Sequence, residues 1–144
     1  MVAITISQPF ASIIANGAKW IENRKWYTKY RGPLAIHAGS GKQYLDSKEL
    51  RDYPTGAIIA VADLVACLSL EEIQDGADDT PSLFPPGCSR TWQQIVRHSH
   101  CEGPFCWVLE NVRQVRPVQI TGKLGLWRVP SDVAFVYEEV THGR

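Results

Sequence analysis

The organisation of the chain is decided by residues 6–24, which read Ile6-Ser7-Gln8-Pro9-Phe10-Ala11-Ser12-Ile13-Ile14-Ala15-Asn16-Gly17-Ala18-Lys19-Trp20-Ile21-Glu22-Asn23-Arg24. Ser7 is a favourable N-cap, and Pro9 suits the first helical turn because the N–H that proline lacks has no partner there. Gly17 suits a left-handed helix stop. The stretch therefore predicts a short capped helix over about residues 8–16, followed directly by a strand that carries charge.

The predicted strand, residues 20–26, has two faces of different character. Because side chains alternate along a strand, Trp20, Glu22, Arg24 and Trp26 are expected to share one face. A carboxylate and a guanidinium then lie between two indole rings. One interpretation is an ordinary surface ion pair, worth about 0–1 kcal/mol. The other, which we favour, is the polar floor of a binding site.

Length and composition indicate a globular protein. The 144 residues suffice for one domain with a real core, and 44% of them are hydrophobic. No apolar run reaches the roughly 18 residues that a membrane span needs. No basic segment followed by an apolar stretch and a cleavage site begins the chain. We therefore expect a cytoplasmic protein without a membrane partner.

The net charge of zero conceals a segregation of charge along the chain. Residues 1–51 hold eight basic and three acidic residues, whereas residues 52–79 hold seven acidic residues and no basic one. The basic part is interleaved with the aromatic residues Trp20, Trp26, Tyr27 and Tyr30. This combination is typical of a surface that binds nucleic acid.

Short apolar runs separated by glycine and proline turns predict five or six strands among the candidate segments at residues 2–6, 20–26, 34–38, 57–68, 105–110, 116–120 and within 122–130. Short helices are expected at the connections. The fold class is therefore α+β, a mostly-β barrel-like domain that spans residues 1–144. Residues 75–103 change in composition and are interpreted as an insertion lying over the surface, and a C-terminal tail begins at residue 131.

Histidine and cysteine residues give weaker signals. His37 ends an apolar strand before a turn of small residues, and it is either a structural residue or a contributor to the site. The four cysteines contain no C-x-x-C pair, and their spacing to the nearby histidines matches no usual zinc site. We expect reduced thiols, no metal and no cofactor.

Several segments in order resemble the ASCH domain family, part of the PUA-like superfamily. The resemblance is carried by Gln8-Pro9-Phe10-Ala11-Ser12, by Gly17-x-Lys19-x-x-Glu22-x-Arg24-x-Trp26, by Tyr30-Arg31-Gly32-Pro33-Leu34-x-Ile36-His37-Ala38, and by later segments at residues 56–64, 103–109 and 122–127. It covers nearly the whole chain apart from the expected insertion and tail. The G-x-K-x-x-E-x-R element is the most specific part.

The resemblance implies a PUA-like β-barrel with a cleft, related to RNA-binding domains, and roles in RNA metabolism or transcriptional coactivation. It places in or beside that cleft the residues Gln8, Lys19, Glu22, Arg24, Trp26, Arg31 and His37. One branch of the family hydrolyses the acetyl amide of acetylated cytidine with a threonine three residues after the motif lysine. That position here is Glu22, so the mechanism cannot be carried over unchanged.

The residues themselves suggest how a ligand is bound. Lys19 and Arg24 suit a phosphate or carboxylate, and Trp20 and Trp26 suit a stacked base. We therefore expect a domain that binds single-stranded RNA or a nucleotide-like ligand. A small hydrolase with Lys19 and Glu22 as catalytic groups, acting on RNA or on modified nucleosides, is the alternative. A protein-interaction module in transcription, using the acidic residues 71–79 and the expected insertion, is a third.

Overall fold

The computed structural model describes residues 1–41, 43–46, 48, 52–79 and 83–139. Within those residues it contains six strands and three helices. The strands are β1 (Val2–Ile6), β2 (Ile21–Arg24), β3 (Gly32–Ala38), β4 (Ala57–Ser69), β5 (Phe105–Gln119) and β6 (Leu126–Arg128). The helices are α1 (Phe10–Ala15), α2 (Leu70–Asp78) and α3 (Trp92–Arg97).

The strands form one six-stranded sheet in the order β2-β5-β4-β3-β1-β6. The chain divides into two compact units. Unit 1 holds residues 1–18, 33–62 and 111–144, and unit 2 holds residues 19–32 and 63–110. The long strands β4 and β5 each contribute one part to either unit. The α+β, mostly-β fold class predicted from the sequence is confirmed.

Unit 1 is built around β1, which pairs parallel with β3 and antiparallel with β6. Its core cluster consists of Ala3, Ala35, Ile58, Val61, Val115, Trp127 and Val129. The tail predicted from residue 131 packs onto this core through Val133 and Phe135. It also bridges to β5, where the N–H of Arg116 donates to the carbonyl of Val136.

Unit 2 is built around the antiparallel pair β2 and β5, in which Ile21 lies opposite Val108 and Asn23 opposite Cys106. Its core cluster consists of Ile21, Ala66, Leu68, Ile73, Trp92, Ile95, Cys106 and Val108. Two capping boxes fix the helices of this unit. Ser69 and Glu72 cap α2, and Thr91 and Gln94 cap α3.

Several details differ from the sequence predictions. Helix α1 begins at Phe10, and Ser7 does not cap it. Instead, Oε1 of Gln8 accepts a hydrogen bond from the N–H of Ser12 at 2.9 Å. Gly17 ends the helix with φ +89° as expected. The two strands predicted at residues 105–110 and 116–120 are a single strand, β5, which continues through Asn111 although that residue has φ +51°.

The segment predicted as an insertion, residues 75–103, is described except for residues 80–82, which lie outside the described residues. It is not merely a surface excursion, because Trp92 and Ile95 of α3 belong to the core of unit 2. Its status as an insertion within one domain stays a prediction. Among the described residues, none of the helices is long and apolar enough to cross a membrane.

Candidate functional site

Three charged side chains meet at β2 in unit 2. Glu22 is in the strand and is 8% exposed, and Lys19, just before the strand, is 3% exposed. Nζ of Lys19 donates to Oε1 of Glu22 at 2.9 Å and also to the carbonyl oxygen of Ile21. Nε of Arg24 lies 3.0 Å from Oε2 of Glu22. The carboxylate is therefore held between two cations, one at each oxygen. We call Lys19, Glu22 and Arg24 the charged triad.

The triad has a net charge of +1, which favours an anion nearby. Its components differ in accessibility: the side chain of Arg24 is 25% exposed, whereas that of Lys19 is 4% exposed. Because a buried charge requires compensation, Glu22 offsets the cost of burying Lys19. Arg24 is then the member that solvent, and hence a ligand, reaches most easily.

An exposed tryptophan lies on the same face of the strand pair as the triad. Glu22 lies directly opposite Trp107 of β5, and opposed residues of an antiparallel pair project on the same face. Trp107 is fully buried, and the ring of Trp26 meets its ring edge-to-face at 4.8 Å. Trp26 itself remains 38% exposed. Its ring is therefore held by the residue opposite Glu22, with part of its surface available for stacking.

A second aromatic residue, Tyr27, repeats this arrangement one position along. Arg24 lies opposite Phe105, and the ring of Tyr27 meets the ring of Phe105 edge-to-face at 6.1 Å. Tyr27 is 49% exposed, and the guanidinium carbon of Arg31 lies 5.9 Å from its ring centroid. Nη1 of Arg31 donates to the carbonyls of Thr28 and Tyr30, at 2.9 and 2.8 Å, which fixes the orientation of the guanidinium.

Trp20 does not share the face of Glu22, so this part of the predicted alternation is wrong. Strand β2 begins at Ile21, and Trp20 precedes it. The Trp20 ring packs against the core cluster of unit 2, where it meets His98 edge-to-face at 4.3 Å. The guanidinium of Arg90 lies 4.1 Å above the same ring. A ligand contact by Trp20 stays a prediction.

The remaining predicted site residues, Gln8 and His37, belong to unit 1. The amide of Gln8 is fully buried, and it donates to Oγ of Ser12 and to the carbonyl of Pro54, both at 2.8 Å. In the structure both ends of this amide are therefore bonded to the protein itself.

His37 is 2% exposed, and both of its ring nitrogens have partners. Nε2 lies 2.7 Å from the carbonyl oxygen of Ile120, so Nε2 carries a proton and donates. Nδ1 lies 3.1 Å from Oγ1 of Thr5, and Nε1 of Trp127 donates to that same hydroxyl oxygen at 3.1 Å. Both ring nitrogens are therefore hydrogen-bonded within unit 1. Ligand binding by Gln8 and His37 stays a prediction.

Trp107 and Phe105 support the exposed rings of Trp26 and Tyr27. Trp107, Phe105 and Tyr27 are not among the residues predicted for the site. The available signal was the alternation of Phe105 and Trp107 in a predicted strand. The register between β2 and β5, which brings them opposite Arg24 and Glu22, cannot be read from either strand alone.

Comparison with known proteins identifies the class of domain. The profile of the ASCH domain family matches residues 4–119, and the chain belongs to this family. ASCH domains are in general nucleic-acid-binding domains. The resemblance inferred from the sequence motifs is confirmed.

Two relatives share part of their length with this chain. Activating signal cointegrator 1 from Homo sapiens is 29% identical over 128 residues, and its Mus musculus counterpart is 30% identical over 129 residues. Each match covers 75% of this chain but only 22% of the relative. The chain therefore spans about a fifth of the length of these proteins.

Solved structures show the same fold. The ASCH protein from Zymomonas mobilis superposes with a TM-score of 0.54 at 14% identity, covering 91% of this chain and 88% of its own. A point mutant of that protein gives a TM-score of 0.53 at 14% identity, with 90% of each chain covered. At this identity the likeness concerns the fold alone.

Proposed function

We propose that unit 2 binds single-stranded RNA or a nucleotide-like ligand at the charged triad and the neighbouring rings of Trp26 and Tyr27. The observation that carries the proposal is that the partly exposed ring of Trp26 packs on Trp107, which lies directly opposite Glu22 of the charged triad. A nucleotide is flat at one end and anionic at the other, so it can use both features together.

The role expected of each residue follows from the solvent exposure of its side chain. Arg24 contacts a phosphate through its fork of N–H groups, whereas Lys19 supplies positive charge from beneath and is held in place by Glu22. Trp26 stacks on one base, and a stacked base contributes about 1–3 kcal/mol in single-strand binders. Tyr27 with Arg31 is placed to stack a second base and to attract the phosphate between the two.

The geometry favours binding over hydrolysis. A general base must reach the proton that it removes, yet each oxygen of Glu22 faces a cation and the residue is 8% exposed. Glu22 is thus better suited to organising Lys19 and Arg24 than to activating water. The coregulator-type interaction module gains no comparable support from the described residues.

Equilibrium binding to labelled single-stranded RNA tests the proposal directly. Fluorescence anisotropy with a short pyrimidine-rich oligonucleotide is measured for the wild type and for Trp26→Ala, Tyr27→Ala, Arg24→Met and Arg31→Met at several salt concentrations. We expect roughly a 5- to 150-fold loss of affinity for Trp26→Ala, the equivalent of one stacked base. Arg24→Met is expected to reduce the salt slope by about 0.7, the value for one phosphate contact on a single strand.

Unit 1 provides a matched control pair. Arg113 lies over the exposed ring of Tyr137 at 5.5 Å, which resembles the pairing of Arg31 with Tyr27 at 5.9 Å. Tyr137→Ala and Arg113→Met remove the same chemical groups outside the proposed site, so they should leave the affinity unchanged. Equal losses for both pairs would show that binding is non-specific attraction to surface arginines and would overturn the proposal.

Turnover is examined in the same samples. The RNA is recovered after incubation with and without divalent metal, and its length is compared between the wild type and Glu22→Gln. Intact RNA in both samples supports a binding domain. Cleavage by the wild type alone would establish the hydrolase instead, provided that circular dichroism shows the Glu22→Gln protein to be folded.

A further inference from the structure

Two cysteine sulfurs of unit 2 lie in contact. Sγ of Cys101 and Sγ of Cys106 are 4.0 Å apart, and both residues are free thiols. A disulfide requires a separation of about 2.05 Å, so the two sulfurs must approach by about 2 Å. Side-chain rotation can supply a movement of this size when the backbone already holds the residues side by side.

The backbone between the two cysteines is held independently of the sulfur atoms. Oδ1 of Asn23 accepts hydrogen bonds from the N–H groups of Glu102 at 3.1 Å and Gly103 at 2.7 Å. Nδ2 of Asn23 donates to the carbonyl of His100 at 2.8 Å. Formation of a disulfide would leave these three bonds in place. It would remove the weak bond from the Cys106 thiol to Oδ1, at 3.4 Å.

The two thiols differ in accessibility. Cys106 is fully buried in the core cluster, whereas Cys101 packs against that cluster and remains partly exposed. A reagent from solution can therefore reach Cys101 but not Cys106. This asymmetry defines an attacking thiol and a resolving thiol.

We propose that Cys101 and Cys106 form a reversible modification site, a dithiol that low-molecular-weight disulfides of the glutathione type oxidise to an intrachain disulfide. The Cys101 thiolate attacks one sulfur of glutathione disulfide, which forms a mixed disulfide and releases one glutathione. Cys106 then loses its proton and attacks Sγ of Cys101, which forms the Cys101–Cys106 bond and releases the second glutathione. Two electrons and two protons pass from the protein to the reagent.

The chemistry is slow at neutral pH for a physical reason. Burial raises the pKa of the Cys101 thiol, and burial together with the neighbouring Cys101 raises the pKa of Cys106 to about 12. Because only the thiolate attacks, exchange is faster in mildly alkaline solution. The pair is consequently oxidised slowly and does not act as a rapid redox sensor.

The proposal does not depend on RNA binding. The dithiol lies on the core side of β2, where Asn23 faces Cys106, whereas the triad lies on the other face of the strand. The modification can therefore be tested by chemistry alone, and failure of either proposal leaves the other standing.

Peptide mapping after oxidation provides the test. The reduced, folded chain is incubated with glutathione disulfide at mildly alkaline pH, and the remaining thiols are alkylated before digestion with trypsin. Cleavage after Arg97 and Arg113 yields one peptide, residues 98–113, which contains both cysteines and no other cleavage site. We expect this peptide to lose two hydrogens and to escape alkylation, and dithiothreitol should reverse both changes.

Single substitutions distinguish the two roles. In Cys106→Ser, Cys101 should accumulate a stable mixed disulfide with glutathione because the resolving thiol is missing. In Cys101→Ser, Cys106 should remain a thiol because solvent does not reach it. Cys88→Ser is the matched control, since Cys88 packs against the same cluster, and it should oxidise like the wild type. Circular dichroism confirms that each variant is folded.

Two results would overturn the proposal. One is that the folded wild type retains both thiols in peptide 98–113, although the same reagent oxidises them in a sample of the chain unfolded in urea. The other is a disulfide that joins Cys101 or Cys106 to Cys88 or Cys67. The wild-type result alone decides the matter if a variant fails to fold.

Discussion

The ammonium nitrogen of Lys19 lies 2.9 Å from Oε1 of Glu22, with side-chain exposures of only 4% and 10%. Because Glu22 is the only anion between Lys19 and Arg24 in the triad, its loss leaves two cations close together. We expect Glu22→Gln to lower the free energy of unfolding by about 3–5 kcal/mol, the usual cost of breaking a buried pair. Lys19→Met should cost less, since Arg24 still faces the carboxylate. Urea unfolding measures both.

The double variant Lys19→Met with Glu22→Gln tests whether the two side chains act together. Partners in one ion pair are coupled, so the double variant should lose less stability than the two single losses combined, by about 0.5–3 kcal/mol. Lys25→Met removes an exposed lysine next to β2 and should change stability by less than about 0.5 kcal/mol. Strict additivity would refute a buried Lys19–Glu22 pair.

The substitution Gly76→Ala in α2 should change stability in the opposite direction to the usual glycine-to-alanine substitution in a helix. Alanine normally stabilises a helix interior by about 1 kcal/mol relative to glycine. Here, a Cβ atom at Gly76 would lie 2.2 Å from the Trp92 ring of α3. We expect Gly76→Ala to destabilise the protein by about 1–3 kcal/mol through overpacking, as measured by thermal or urea unfolding.

Gly41→Ala is the control for this substitution. A Cβ there would find its nearest atom, Oε1 of Gln43, at 3.7 Å, which is ordinary contact. It should leave stability nearly unchanged. If Gly76→Ala stabilised the protein instead, the close packing of α2 against Trp92 would be wrong.

Local features of the fold could be predicted because they depend on neighbours in the sequence. Residues 2–6 and 57–68 have the apolar, β-branched composition of strands, and β1 and β4 lie there. Ser69 and Glu72 have the spacing of a capping box and form one. The helix start at Phe10 could not be predicted, because Gln8 competes with Ser7 through a side-chain bond to Ser12.

The site could be predicted only in part, because some of its contacts join residues that are distant in the sequence. The period of two along a strand places Glu22 and Arg24 on one face, and they do form an ion pair. The same period fails for Trp20 because it lies outside β2. The support of Trp26 by Trp107 depends on the register of two strands distant in the sequence. Such a register is set by packing throughout the sheet, and no local pattern encodes it.

Thr5 joins the side chains of His37 and Trp127 in unit 1. Its Oγ1 accepts from Nε1 of Trp127 and lies 3.1 Å from Nδ1 of His37, both within a mostly buried environment. Thr5→Val keeps the shape of the side chain but leaves Nε1 of Trp127 and Nδ1 of His37 without this partner. We expect a loss of about 2–4 kcal/mol in the free energy of unfolding, since unsatisfied buried groups cost about 1–3 kcal/mol each.

Thr121→Val is the comparison for this prediction, because Thr121 is exposed and the same change there should be nearly neutral. Trp127→Phe removes the indole donor, so Thr5→Val should cost less in that background than in the wild type. Equal costs in the two backgrounds would contradict the chain of hydrogen bonds from Trp127 through Thr5 to His37.

Because burial raises the pKa values of two thiols, we expect the protein to lose stability in alkaline solution. Burial raises the pKa of Cys106 from 9.0 to about 12 and that of Cys88 from 9.0 to about 11. Above pH 9 the unfolded chain releases these protons while the folded chain keeps them, so the unfolded state binds fewer protons and stability falls as pH rises. Between pH 8 and 10.5, Cys106 alone should remove roughly 1–2 kcal/mol of unfolding free energy.

Urea unfolding of the reduced protein at pH 8 and pH 10.5 measures this loss. Cys106→Ala is less stable at both values because it leaves a cavity, but its loss between them should be smaller than that of the wild type. Ile95→Val also weakens the core of unit 2 without removing a titrating group, so it should retain the full wild-type loss. If Cys106→Ala and Ile95→Val lost equal stability between the two pH values, the alkaline sensitivity would have to arise elsewhere, and Cys106 would not remain protonated in the folded chain.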